Sequence, residues 1–106
     1  MQRVMFRLVR TDPPTAQDFV SQRQEKPERV FSGVTECETR GLSVFGQRRD
    51  AEAKALKLPH LRNHKICRVT LSAGAGSIQQ TFQPSHHTWW PLAPFDILAH
   101  CEAATS

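Results

Sequence analysis

The chain has no tyrosine, only three cysteines, no long apolar run, and no lysine or arginine after Arg68. Each absence removes a class of protein. No apolar run approaches the roughly 18 residues of a membrane-spanning helix, so no membrane role is expected. The opening MQRVMFRLVR is too charged, and its apolar run too short, for a secretory signal. Cys37, Cys67 and Cys101 are odd in number, which argues against a disulfide scaffold and for three reduced thiols. A cytoplasmic protein of bacterial type is the expectation. The chain also lacks a C-x-x-C pair, a G-x-S-x-G nucleophile elbow, a glycine-rich phosphate loop, a helix-turn-helix pattern and a basic tail. What is present is enough for one domain, residues 1–106, with a modest core. In so short a chain, six phenylalanines and two tryptophans carry much of the available burial.

The net charge of +4 is unevenly spread. Residues 1–39 balance six basic against six acidic side chains. Residues 40–68 hold eight basic (Arg40, Arg48, Arg49, Lys54, Lys57, Arg62, Lys65, Arg68) against Asp50 and Glu52. This basic segment is suited to phosphates, whether of a nucleotide, a nucleic acid or an acidic protein partner. It is equally the pattern of a solvated helix face.

Alternation in QRVMFRLVR predicts a first strand over 2–10, with Val4, Phe6 and Leu8 on one face and Arg3, Met5, Arg7 and Val9 on the other. TDPPT breaks it. Thr15 with Asp18 resembles a capping box, opening a helix from Ala16 toward Gln24. Residues 25–40 are polar and aperiodic and read as a loop. GLSVFG, 41–46, reads as a short strand, and QRRDAEAKALKL as a helix ended by Pro59, with Ala51, Ala55 and Leu58 on its buried side and an Asp50–Lys54 pair. Strands follow over 65–71, with Cys67, Val69 and Leu71 inward, and over 77–82, with Ile78, Gln80 and Phe82 on one face. The segment 84–94, PSHHTWWPLAP, reads as a loop, and 95–103 as the last strand. Few helices and many hairpin-like turns predict an α+β fold with a mostly antiparallel sheet and two or three short helices.

HHTWW concentrates both tryptophans and two histidines in five residues. Neighbours on extended chain point to opposite sides, so Trp89 and Trp90 cannot fill one core. One plugs the core, and the other faces a cleft or a partner. His60, His64 and Cys67 have H-x3-H-x2-C spacing, but the two histidines flank a loop after Pro59 and no C-x-x-C anchors them, so no metal site is expected.

Taken together, FRLVR, GLSVFGQRRDAEAKAL and ICRVTLSAGAGSI resemble the strands and alanine-rich helix of the small bacterial ADP-ribosyltransferase-like fold. HHTWWPLAPFDILAHC is placed like the loop that precedes the last strand in rifamycin-modifying ADP-ribosyltransferases. The resemblance implies a nucleotide-binding protein, either an NAD-dependent ADP-ribosyltransferase-like enzyme or an inactive relative. It implies NAD as the ligand, with Arg7, and Arg10 second, on its phosphate or ribose. It places Ser43 on a ribose or amide and Gln80 on a ribose hydroxyl. Phe45 or Trp89 stands in for the family's stacking tyrosine, and His86, His87 and Trp89 line the base side. One departure matters. The enzymes carry a late Glu or Asp, whereas this chain offers Gln79 and Gln80, with Asp96 and Glu102 as the only later acids. A glutamine can hydrogen-bond a ribose but cannot stabilise positive charge on it as a carboxylate does. The competing expectation is a non-catalytic protein that docks on nucleic acid or an acidic partner through 40–68.

Overall fold

The computed structural model describes residues 3–11, 13–61, 63–72, 74–82 and 85–103. Gln2, Arg62, Ala73 and Pro84, to which the sequence reading assigned places, lie outside the described residues. Six strands form one sheet: β1 (Arg3–Val9), β2 (Leu42–Phe45), β3 (Lys65–Leu71), β4 (Gly76–Phe82), β5 (His86–Pro91) and β6 (Cys101–Ala103). Their order is β4-β5-β2-β1-β3-β6, and every neighbouring pair is antiparallel. Among the described residues three α-helices accompany them: α1 (Gln22–Glu25), α2 (Glu36–Thr39) and α3 (Arg48–Lys57). The α+β expectation holds at this level. No helix among the described residues is long and apolar enough to cross a membrane.

Both faces of β1 are covered, as its alternation requires. Met5 and Val9 join Leu42, Val44, Cys67, Val69, Leu71 and Trp89 in the larger core. Phe6 and Leu8 pack on the other face with Phe45, Ala51 and Ile66, beneath α3. Ala51 is fully buried, so the absence of a larger side chain there lets α3 lie close to the sheet. Ser85 closes the N-terminus of this helix from far along the chain. Its hydroxyl accepts from Gln47 N at 3.2 Å and donates to Asp50 Oδ2 at 2.6 Å. The expected Asp50–Lys54 pair is therefore replaced: Asp50 turns to a fixed hydroxyl, whose hydrogen bond survives where an exposed ion pair is weak.

Further expectations are corrected. The helix from Ala16 to Gln24 is two pieces, a 3-10 turn over Ala16–Phe19 and then α1, because Ser21 is extended and starts a new cap by accepting from Gln24 N. The loop 25–40 contains α2, capped by Thr35 and Glu38 in the same reciprocal way. The last strand shortens to Cys101–Ala103 behind a 3-10 turn over Leu98–His100, where Ala99 N donates to the Asp96 carboxylate. The largest correction is HHTWWP, which is no loop but an interior strand, β5, between β4 and β2. Pro91 is tolerated at its end, opposite Gly76. Gly76 is required there: its φ is +121°, and a Cβ would stand 2.1 Å from the Trp90 carbonyl oxygen. A register shift between Gln80 and Phe82 also turns Phe82 away from the face of Ile78 and Gln80, and it packs edge-on to His86.

Candidate functional site at the parting of β1 and β2

Strand β1 is in register with β3 over all seven residues, Arg3–Val9 against Lys65–Leu71. With β2 it shares one register pair, Phe6 opposite Phe45. Beyond that pair the strands part, and a side chain takes over from the backbone ladder. Arg7 donates from Nη1 to the Ser43 carbonyl at 2.7 Å and from Nε to the Asp18 carbonyl at 2.9 Å. Its guanidinium also lies 5.5 Å from the centre of the Phe19 ring. Two carbonyls fix the plane of the fork, and Nη2 has no protein partner among the described residues. Burial lowers the pKa of Arg7 to about 10, with Cys67 and Asp18 acting in the opposite sense, so it remains a cation at neutral pH.

Asp18 holds the other wall. Its carboxylate accepts from Arg10 N at 2.7 Å, from Thr15 N at 3.0 Å and from the Thr11 hydroxyl. Burial opposes its charge, but these donors more than offset burial and its pKa is lowered. The bond to Thr15 N is the return half of the capping box expected from the sequence. The same carboxylate thus ties the end of β1 to the 3-10 turn that presents Phe19.

At this end of the sheet lies a cleft of about 600 Å³. Phe19, Leu42, Phe95 and Ile97 line its apolar part, and Ser21, Gln24, Arg23 and Arg40 its polar part. The two arginines are committed. Glu36 accepts from Arg23 at 2.8 and 2.9 Å and from Arg40 at 3.0 Å. Arg23 also donates to the carbonyls of Pro27 and Arg29, at 2.8 and 2.9 Å, which folds the 26–36 segment around it. The hydrogen bonds from Arg23 and Arg40 hold the Glu36 carboxyl below its ordinary range.

The residues expected to form one site are distributed. Arg7 and Ser43 are adjacent, and Arg10 lies just beyond them, exposed and 3.4 Å from Glu25. The Ser43 hydroxyl is on the α3 side of β2, while its carbonyl meets Arg7. Phe45 is buried beneath α3. Trp89 is the core plug, fully buried, with Nε1 donating to the Ala75 carbonyl at 3.0 Å. Trp90 takes the opposite side and donates to the Cys37 carbonyl at 2.9 Å. Gly41 allows this packing, since a Cβ would stand 2.3 Å from Thr88 Cγ2. The histidines separate likewise. His87 Nδ1 donates to the Ser85 carbonyl at 2.8 Å, which leaves Nε2 to accept from Arg3 at 3.0 Å. His86 lies between the rings of Phe45 and Phe82 and meets the Thr81 hydroxyl at 2.9 Å. Burial first, then Lys54 and His87, lower its pKa to about 4. Gln80 is on β4, three strands from β1, about 14 Å away at the usual strand spacing.

Asp18, Phe19, Leu42 and Phe95 are the residues of this region that sequence reasoning passed over. The Thr15–Asp18 spacing was the one signal for Asp18. The described residues contain no cluster of three or more metal-ligating side chains. Burial pushes the Cys67 thiol up to about 12 and raises Cys101, so neither is an activated nucleophile. No family model, curated protein or solved structure matches this chain.

Proposed function

We propose that this protein binds a nucleotide-type ligand, with NAD or ADP-ribose as its chemical class, where β1 and β2 part. The observation that carries the reading is Arg7: a cation on a strand, its plane fixed by two carbonyls and its Nη2 without a protein partner among the described residues. Such a fork is pre-organised for a phosphate oxygen. The adjoining cleft supports it. Its volume falls in the usual ligand range of about 300–1,000 Å³, and Phe19, Leu42, Phe95 and Ile97 give it an apolar lining. The pairing of a β1 arginine with the GLSVF strand is the part of the ADP-ribosyltransferase-like resemblance on which the reading leans.

Binding is better supported than transfer. Glu102 on β6 is paired with Arg68 at 2.8 Å, and Gln80, three strands from β1, is a carboxamide that cannot stabilise developing positive charge as a carboxylate does. The reading is therefore that of an inactive relative which retains ligand recognition. A thermal-shift titration with NAD, with ADP-ribose and with a nucleic-acid control tests it. The midpoint rises with nucleotide concentration in the wild type. It does not rise in Arg7→Ala at the same ligand concentrations. No rise with either nucleotide at millimolar concentration removes the reading.

A second reading has an observation of its own. Arg49, Lys54 and Lys57 on α3, with Lys65 at the start of β3, are exposed and have no carboxylate partner among the described residues. In contrast, Arg23, Arg40 and Arg68 are all paired. Docking of nucleic acid or an acidic protein on this face weakens steeply with salt, whereas a buried nucleotide site responds less.

A further inference from the structure

The sheet ends in two edges of different character. β6 is three residues long and its Glu102 is paired across to Arg68. β4 is seven residues long and contains no charge and no proline. It lies within a stretch, Val69 to Phe95, that has no Asp, Glu, Lys or Arg at all. Short length, charge, proline and covering segments are the means by which proteins keep edge strands from pairing. Among the described residues β4 has only the register shift near Phe82, which leaves Gly76–Gln80 regular. Among the described residues its outer row of backbone groups has no neighbouring strand.

We propose that β4 is a self-association edge, at which two copies of this chain join β4 to β4, antiparallel, about a two-fold axis near Ile78 and Gln79. The occupant is a second copy for two reasons. Isologous pairing sets a strand against itself, and an uncharged strand does so without meeting like charges. The chain carries +4, yet its basic segment sits on and around α3, which packs on β1, β2 and β3, so pairing through β4 keeps the two positive regions apart. In this arrangement Ser77 of one copy faces Gln79 or Thr81 of the other, and exposed amides and hydroxyls pair across the seam. The inference does not rest on the ligand reading.

A one-strand seam is small, so a dissociation constant on the order of 10 to 100 μM is expected. Sedimentation over a concentration series reads it, with the mass rising from 12.0 kDa toward twice that value. Two paired variants carry the test. Ser77→Lys with Gln79→Lys, and Ser77→Glu with Gln79→Glu, change only exposed side chains, and circular dichroism checks that each folds. Each alone stays monomeric at concentrations where the wild type is dimeric, and an equimolar mixture of the two recovers the dimer mass. A wild type that remains monomeric at about 1 mM overturns the proposal. So does a dimer that persists unchanged in both like-charged variants.

Discussion

The two sides of β1 are built differently. Toward β3 it has a full backbone ladder, seven register pairs with Met5 and Val9 packed beneath. Toward β2 it has one register pair and the guanidinium of Arg7. A ladder distributes its strength over many groups, and losing one of them leaves the others in place. A side-chain bridge concentrates the connection in one residue. It also leaves strand carbonyls and an arginine edge near solvent, where a ligand can reach them. The stronger side makes the fold, and the weaker side is where the proposed recognition has room.

The comparison is broken most severely by attacking the strong side. Met5 is fully buried opposite Val69. Met5→Ala removes buried volume that the sheet cannot refill, and a loss of about 3 kcal/mol is expected in urea unfolding. Hydrogen exchange should then quicken across the whole sheet, since the core is shared by both halves.

Arg7→Met is the corresponding change on the weak side. It keeps most of the stem and leaves the Ser43 and Asp18 carbonyls without their donor, for an expected loss of about 2 kcal/mol. Its signature differs from that of Met5→Ala. Amide exchange should rise along β2 and in the 3-10 turn over Ala16–Phe19, with β3 little changed. Arg7→Lys should not restore the wild type, because an ammonium lacks the planar fork that meets two carbonyls at once.

Asp18 sharpens the comparison through pH. Its folded-state pKa lies below the ordinary value of 3.8. Its stabilising effect is therefore complete above that value and is lost as pH falls through the lower folded-state value. Asp18→Asn should cost about 1–2 kcal/mol at pH 7, and the gap between variant and wild type should close as the wild-type carboxylate is protonated. A gap that is constant from pH 7 to pH 2 would mean that the charge at Asp18 is not what holds the turn.

How far the sequence anticipates this arrangement depends on the physics involved. β1, β2, β3 and α3 are legible because alternation and alanine spacing are local signals. β5 was hidden: prolines on both sides of HHTWW gave a loop signal, and burial on both faces erased the polar–apolar alternation that marks a half-exposed strand. The separation of Trp89 from Trp90 was still legible, because it follows from extended geometry alone. The parting of β1 from β2 was not, since strand pairing is a long-range choice that no local pattern encodes. Arg7 and Ser43 were legible as strand residues. That Arg7 would meet the Ser43 carbonyl rather than its hydroxyl was not.

That last distinction yields the smallest expected effect. Ser43→Ala removes an exposed hydroxyl with no protein partner among the described residues, and it leaves the carbonyl that Arg7 uses. Stability should therefore change by less than about 0.5 kcal/mol, as for an ordinary surface substitution. Exchange at β2 should match the wild type. Against that quiet background, any loss of the nucleotide-dependent midpoint shift reports the hydroxyl itself, as a group that reaches the ligand from the α3 side of β2. A retained shift assigns recognition at this strand to Arg7 alone, with Ser43 contributing only the backbone oxygen that holds the arginine in plane.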